Sequence, residues 1–473
     1  MKTFSAEAVG GGEDDGARRR LFLRHQPLAY MKLLSLNDDA LFLIASLLDP
    51  LDALRLSETS QHLYLIALPQ ALSAVTLMTH RQLSAFCKYM LKSSSTRMHL
   101  LRELAIVLPD GDFSDVAPLL ADVLEQALGL RSIIMHHTNS FIKAAPRIGD
   151  ALVALEGLTD LRLLGARELV VEMLPRLRSR PSSFQFEGSG RPRIALHLSQ
   201  LSALQNAVLI GLVNVAINDD SLTEQPAQWE ALQHLSLEYV KIPATFFLNF
   251  FPNLENVALR LDEIVGLIPD APIPSPSARP VRGMMLNVPQ ICDETPEEDI
   301  IRALRALQCV SPLTLSLKIF VDPSPTFWTR LVTLSPQLRY LDIELDGMSV
   351  PEEGRLQVIF STTSWLCTIP PLLANLNIVC LRISLADTRD NRDVEIQDLF
   401  LQHMCASLRY IAIESVPLGS WQADCGYSWW SVEGSGDTRR LVAMSSEAGE
   451  AIHESLWTLA FSEAKDASRS GPP

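Results

Sequence analysis

The residues whose side chains could do chemistry are few, and their spacing argues against catalysis. The string His453-Glu454-Ser-Leu-Trp457 fails the helical His-Glu-x-x-His spacing of a zinc site, because Trp457 stands where the second histidine ligand is needed. His136 and His137 are adjacent, so on a strand their rings would point to opposite faces. Such a pair cannot readily hold one metal ion, and we interpret both as ordinary structural residues.

Cys405 and His403 provide a thiol and a base, but nothing in the sequence places a third group or an oxyanion hole beside them. No Gly-x-Ser-x-Gly elbow, Walker loop or Gly-x-Gly-x-x-Gly motif is present. The sequence therefore predicts no catalytic residues, no metal site and no cofactor. We expect a protein that is not an enzyme.

Composition and charge narrow the class of partner. Hydrophobic residues make up 47% of the chain and charged residues 20%, so most of it should fold. The formal net charge is -15, and a field of that sign repels phosphate backbones. We therefore expect no nucleic-acid partner. The seven cysteines include no Cys-x-x-Cys pair, which excludes the closely spaced thiols of zinc fingers and thioredoxin-like motifs.

The sequence also shows no recognisable signal for secretion, glycosylation or membrane insertion. Residues 1–30 lack the uninterrupted apolar core of a secretory signal, and no Asn begins a glycosylation sequon. The longest uncharged run lies between Arg355 and Arg382, but the Pro370-Pro371 pair and several polar residues interrupt it. We expect no membrane partner and a location in the cytoplasm, the nucleus or both.

The elements that would position any site begin with a helical module over residues 31–75. Asn37 or Asp38 can cap a first helix, and Asp49-Pro50 can end it and start a second. A third helix is predicted through Leu63 and Ala67. A module of about 45 residues cannot bury all its large apolar side chains, so some must pack on the rest of the chain as a cap or face a partner.

At these positions the module resembles the F-box family. The matching residues are Leu36, Leu41, Ile44, Leu47, Leu48, Asp49, Pro50, Asp52, Leu54, Leu56 and Ser60. Asn37 stands where the family carries Pro. The resemblance implies docking on the adaptor subunit of a cullin-RING ubiquitin ligase. It assigns this adaptor contact to Leu36, Asn37, Leu41, Ile44, Leu47, Leu48, Asp49, Pro50, Leu54 and Leu56.

Beyond this module a Leu-x-x-Leu-x-Leu-like unit recurs. Its starts are Leu101, Leu130, Leu158, Leu232, Leu254, Val281, Leu338, Ile378 and Leu408, with weaker copies at Pro181, Leu204 and Pro312. The mean interval is about 28 residues, inside the range of leucine-rich repeats. Each unit is too small to bury its apolar face alone, so stacking must supply the core. An ordinary α/β domain is the alternative.

We therefore predict an α/β fold in which a short helical F-box-like module precedes an irregular leucine-rich-repeat solenoid of parallel strands with helices. The predicted divisions are a flexible tail over 1–30, the module over 31–75, the array over 76–416, and a C-terminal cap and tail over 417–473. Trp421, Trp429 and Trp430 fall in the last segment, where a cap over the final repeat or a ligand-binding aromatic patch would explain them. This organisation resembles F-box proteins with divergent repeats of the kind found in fungi.

Period-two alternation in the repeat strands predicts which residues face outward on a concave face. The expected target-binding residues are Asp160, Arg162, His234, Glu238, Arg260, Lys318, Tyr340, Asp342, Arg382, Tyr410 and Glu414. Both charge signs and two tyrosines suit a protein target better than a polyanion. The predicted function is a substrate receptor of a cullin-RING ligase. The alternative is a repeat scaffold for protein interaction that is not coupled to ubiquitin.

Overall fold

The protein divides between Ala71 and Leu72 into two units, Met1–Ala71 and Leu72–Pro473. The computed structural model describes residues 33, 36–92, 97–190, 192–218, 229–241, 251, 253–260, 281–288, 304, 307, 310–319, 325–345, 362–386, 405–416 and 426–467. The tail predicted over residues 1–30 lies outside them.

Polar caps and a proline divide the described part of the first unit into three short helices. These are α1 (Asp38–Leu47), α2 (Pro50–Ser57) and α3 (Gln61–Ala71). Asn37 caps α1, its Oδ1 accepting a hydrogen bond from the Ala40 amide at 2.9 Å. Asp49 caps α2 in the same way, with the Asp52 amide at 2.8 Å, and Pro50 occupies the first helical position, where its missing N–H costs nothing.

Short apolar runs of alternating burial form the strands of the second unit. They are β1 (Ala74–Leu77), β2 (Glu103–Ile106), β3 (Ser132–Met135), β4 (Asp160–Ala166), β5 (Ser183–Gly188), β6 (Ile194–His197), β7 (Leu209–Val213), β8 (Val215–Asn218), β9 (His234–Glu238), β10 (Asn256–Arg260), β11 (Gly283–Val288), β12 (Thr314–Ile319), β13 (Tyr340–Leu345), β14 (Cys380–Ala386), β15 (Tyr410–Val416), β16 (Ser428–Glu433) and β17 (Arg440–Met444).

Fifteen of these strands form one sheet in nearly sequential order, β1-β2-β3-β4-β5-β7-β9-β10-β11-β12-β13-β14-β15-β16-β17. Strands β1 to β15 of this sheet pair in parallel, whereas β16 and β17 continue it antiparallel. A separate parallel pair joins β6 to β8. The predicted mixed α/β fold with a long series of parallel strands is therefore confirmed at this level.

Each predicted repeat start except one lies two residues before a strand. At Leu204 the prediction is wrong, because Leu198–Leu204 forms a 3-10 helix and β7 begins only at Leu209. The sequence pattern also missed β1, β6 and β8. Strand β1 spans the predicted boundary between residues 75 and 76 and belongs to the second unit.

Alternate residues of the strands form the core of the second unit. In β13, for example, Leu341, Ile343 and Leu345 are buried, as are Leu161 and Leu163 in β4. The described helices of this unit are α4 (His80–Lys92), α5 (Ala117–Gln126), α6 (Thr138–Ala144), α7 (Arg147–Ala154), α8 (Glu168–Met173), α9 (Pro325–Leu334), α10 (Thr362–Leu373) and α11 (Ser446–Ala467). No helix among the described residues is long and apolar enough to cross a membrane.

Candidate interaction sites

The first unit has a small closed core of its own. Leu41, Ala45, Leu63, Ile66 and Ala67 form it, and Leu36 and Leu56 pack against its margin. A hydrogen bond from the Gln70 side chain to the Leu48 carbonyl, at 2.9 Å, joins α3 to the end of α1. These contacts leave most of the remaining large apolar side chains of the three helices outside the core.

A set of large apolar side chains is exposed on this unit, and we call it the exposed apolar set. Its members are Phe42, Leu43, Leu47, Leu51, Leu54 and Leu65. Leu47 is 79% exposed and Leu43 is 63% exposed, and they lie one turn apart on α1. Leu51 and Leu54 lie one turn apart on α2. Exposed leucines at this density, flanked by polar residues, are typical of an interaction surface.

The structure separates the predicted adaptor residues into four groups. Leu47 and Leu54 are exposed, and Leu36, Ile44, Leu48 and Leu56 are half-buried. Asn37, Asp49 and Pro50 act at helix starts. Leu41 is only 1% exposed, so its predicted place in the contact is corrected: it fills the unit's own core.

Sequence reasoning missed Phe42, Leu43, Leu51 and Leu65. For Phe42 and Leu43 the available signal was the unbroken run of four large apolar residues that starts at Leu41, because a helix with one buried stripe cannot turn four consecutive side chains inward. The family resemblance directed attention to matching positions instead. Those positions include the residues that hold the helices together.

In the second unit the predicted target-binding residues share one face of the sheet, which we call the open face. The strand register aligns Asp160, His234, Tyr340 and Tyr410 in one row across the sheet. Arg162, Asp342 and Arg382 lie in the row two residues further along. Glu238, Arg260, Lys318 and Glu414 lie in the next row. The predicted alternation therefore has the correct register.

Most charges on the open face are paired with a neighbour. Nη1 of Arg260 lies 2.6 Å from Oε1 of Glu238 on the adjacent strand. Nε of Arg162 lies 3.3 Å from Oδ2 of Asp160 on the same strand. Lys318 pairs with Glu344 on the next strand. The open face thus carries charges of both signs, and most of these charges are neutralised by a neighbour on the same face. Such a surface favours a partner that makes local polar and apolar contacts over a highly charged polyanion.

Two apolar side chains on the open face add contact points that are not among the predicted target-binding residues. Leu209 on β7 is 41% exposed and Met285 on β11 is 52% exposed. The register places Leu209 opposite His234, and Met285 opposite Ser316. Their places in the strands, on the same side as the predicted polar residues, are the sequence signal that could have identified them.

The residues of the open face were predicted to be exposed to solvent. Around β13 and β14 this prediction is wrong. Tyr340 is only 1% exposed, and the Asp342 and Arg382 side chains are 14% and 18% exposed. Residues of the C-terminal segment, which the sequence places far away, cover them. The Tyr340 hydroxyl lies 2.6 Å from Nδ1 of His453 on α11.

Further contacts tie this segment to the sheet. Trp457 meets the Tyr340 ring edge-on, with ring centroids 6.0 Å apart. The Arg382 guanidinium stacks 3.7 Å from the centre of the Tyr427 ring, and its Nη1 lies 3.3 Å from Oδ2 of Asp342. The covered part of the open face therefore combines an aromatic contact with a mostly buried ion pair.

Burial shifts the pKa values of the groups in this cluster. It raises the pKa of the Tyr340 hydroxyl, and the negative charge of Asp342 adds to the rise. It also raises the pKa of the Asp342 carboxyl, against the opposing effect of Arg382. For the His453 imidazole burial lowers the pKa, and the nearby Arg382 charge lowers it further. A neutral His453 is the form that can accept the Tyr340 hydrogen bond at Nδ1.

The residues first considered for chemistry are placed as follows. His453 contacts the Tyr340 hydroxyl. No group of three or more His, Cys, Asp or Glu side chains among the described residues is placed to hold a metal ion. His137 contacts the Leu108 carbonyl through Nε2 at 3.1 Å. Cys405 is buried and donates to the Ile378 carbonyl at 3.4 Å, while His403 lies outside the described residues.

A polar cavity of about 540 Å³ opens before β5. It is lined by Glu156, Pro175, Leu177, Arg178, Arg180, Ala203, Gln205 and Asn206. It holds neither a nucleophile nor a histidine, so its lining lacks the paired nucleophile and base of a nucleophilic active site.

No family model matches this chain, and no curated protein sequence matches it. Among solved structures, it is similar to one described as "Crystal structure of Rad7 and Elc1 complex in yeast", with 13% sequence identity and a TM-score of 0.28. The likeness covers 73% of this chain and 88% of that chain.

Proposed function

We propose that this protein is the substrate-recognition subunit of a cullin-RING ubiquitin ligase. In this proposal the three N-terminal helices are an F-box-like module that docks on the ligase adaptor, and the open face of a leucine-rich-repeat-like array holds a target protein. The protein positions its two partners and does no chemistry itself.

The observation that carries the proposal is the exposed apolar set. The first unit closes a core of its own around Leu41 and Ile66, yet it leaves Leu43, Leu47 and Leu51 in solvent. Burying one such side chain against a partner is worth about 1.5–3 kcal/mol. Helices that resemble the F-box and expose leucines in this way suit docking on the adaptor.

The open face supports the second half of the proposal. Its mixture of paired charges with Leu209 and Met285 resembles the composition of protein interfaces, in which apolar contacts are surrounded by polar groups. Asp160, Arg162, His234, Glu238, Arg260 and Lys318 lie on the part of the face that we assign to the target, together with Glu414 near the C-terminal end of the sheet.

The test is co-purification of the full chain with a cullin-RING adaptor subunit. We expect the wild-type chain to retain the adaptor and the double change Leu47→Asp with Leu54→Asp to reduce retention by at least about tenfold, since a buried anchor at an interface contributes roughly 2 kcal/mol or more. These two leucines are preferable to Ile44 and Leu48. Both of the latter are half-buried, so charges there would also disturb the helices.

The matched control is Leu128→Asp, which places the same charge on a leucine that is 68% exposed in the second unit. It should retain the adaptor as the wild type does. If the wild-type chain fails to bind any adaptor, the protein is a repeat scaffold that is not coupled to ubiquitin. If the Leu47 and Leu54 variant binds normally, the exposed apolar set is not the docking surface.

A further inference from the structure

The polar cavity before β5 is built by the segments that precede three strands. Glu156 precedes β4, residues 175–180 precede β5, and residues 203–206 precede β7. These three strands are neighbours in the sheet. The cavity therefore lies at the edge where the strands begin. None of its lining residues lies in a strand, so it is separate from the residues of the open face that we assign to the target.

An alternating stretch, which we call the arginine run, leads along this edge from Arg176 to Arg180. Its arginines are exposed, whereas Leu177 and Ser179 between them are buried. Arg178 and Arg180 line the cavity. No other five-residue stretch among the described residues carries three arginines. In a chain whose formal net charge is -15, the arginine run is a local concentration of positive charge.

The three arginines differ in how well their charges are paired. Nη2 of Arg176 lies 3.0 Å from Oδ1 of Asp150, and neither residue lines the cavity. Nη1 of Arg178 lies 3.8 Å from Oε1 of Glu156, which is too far for a hydrogen bond. Arg180 forms no ion pair or hydrogen bond with any residue that the structure describes. The cavity thus holds two guanidinium groups against one carboxylate.

Neutral groups complete the lining of the cavity. Gln205 and Asn206 bring two side-chain amides, and Pro175, Leu177 and Ala203 bring apolar surface. A guanidinium presents several N–H donors in one plane, and each amide adds two more, so this set of donors suits the oxygens of a carboxylate or a phosphate. The cavity volume of about 540 Å³ lies within the range of roughly 300–1,000 Å³ that is typical of small-molecule sites.

We propose that this cavity binds a small anionic ligand. Arg178 and Arg180 hold its carboxylate or phosphate group, and the amides of Gln205 and Asn206 bind its remaining polar groups. Glu156 faces the same space, so its negative charge opposes the binding of any anion and competes for Arg178. The site goes beyond the proposed function, because it involves neither the adaptor nor the target.

The experiment is isothermal titration calorimetry of the full chain with two probes, pyrophosphate and citrate, at an ionic strength held constant with chloride. Pyrophosphate tests the phosphate form of the anionic group, and citrate tests the carboxylate form. At least one probe should bind saturably, with one site per chain. Arg180→Gln should weaken that binding roughly tenfold or more, because it removes charged hydrogen-bond donors from the cavity.

Arg176→Gln is the matched control, since it removes the same charge from the same run at a residue that pairs with Asp150 outside the cavity. It should bind the probe within about twofold of the wild type, because salt screens a charge at that distance. Glu156→Gln shifts the charge balance the other way. It removes the opposing carboxylate and frees Arg178, so the probe should bind several-fold more tightly. Thermal unfolding verifies that each variant is folded.

The proposal is overturned if neither probe binds saturably, or if Arg176→Gln weakens binding as much as Arg180→Gln does. It is also overturned if Glu156→Gln weakens binding, because the cavity would then favour a cation. This arm decides the matter if Arg180→Gln fails to fold. A hexaglutamate peptide is the third probe, and binding of the peptide alone would replace the small ligand by an acidic protein segment. None of these results depends on adaptor binding.

Discussion

The contact between Tyr340 and His453 shows how far a single residue can depart from its local pattern. Alternation along β13 correctly placed Tyr340 on the face opposite Leu341. Its burial depends on a helix more than a hundred residues later, and no period in the strand contains that information. The same reasoning applies to Asp342 and Arg382. The strand alternation predicted which face they lie on, but it could not predict that the C-terminal segment buries them.

His453 gives this contact a pH dependence. Because burial lowers its pKa in the folded chain from the ordinary value of 6.5, the unfolded chain binds more protons just below pH 6.5. The stability that His453 contributes is therefore fully present above about pH 6.5 and is lost as the pH falls towards the lowered value. We expect the midpoint of thermal unfolding to fall from pH 7 to pH 5.5 by more in the wild type than in His453→Gln.

The charged groups around His453 are Asp342, Arg382, Glu450 and Glu454, and they remain in the variant. Asp342, whose pKa burial raises, titrates in the opposite sense: its contribution is present below pH 3.8 and is lost as the pH rises through the raised value. Subtracting the variant's profile from the wild-type profile isolates the histidine. Identical profiles would show that His453 does not titrate with folding.

At the scale of the element, helix starts and strand starts were largely predictable because local chemistry determines them. Asn37, Asp49 and Pro50 occupy the capping and first-turn positions that their side chains favour. The two-residue offset between a repeat start and its strand does not hold at Leu204, because a 3-10 helix ends there. The pair of β6 and β8 was missed because neither carries the repeat pattern.

Asn37 stands where the F-box family carries Pro, and its side chain caps α1. Asn37→Ala removes the hydrogen bond to the Ala40 amide and should lower the free energy of unfolding of the first unit by about 1 kcal/mol. Asn37→Asp keeps an acceptor at the same place and should change it little. Hydrogen exchange of the α1 amides measures both effects, and equal protection in all three chains would show that the cap is dispensable.

At the scale of the whole molecule, the two units differ in whether their outward-facing apolar side chains are exposed or covered. The first leaves leucines outside a closed core, whereas the second covers part of its own open face with α11. Composition predicted a folded chain, and the repeat spacing predicted the α/β class and the parallel strands. Neither could reveal which outward residues are covered, because that depends on contacts between distant segments.

The central claim is that the first unit, through its exposed apolar set, binds the ligase adaptor while the open face remains available. Hydrogen exchange of the full chain, with and without a saturating purified adaptor subunit, tests it most directly. We predict slower exchange of the amides between Phe42 and Leu54 and unchanged exchange in strands β9 to β12. Slower exchange in those strands instead, or no change anywhere at saturation, would contradict the claim.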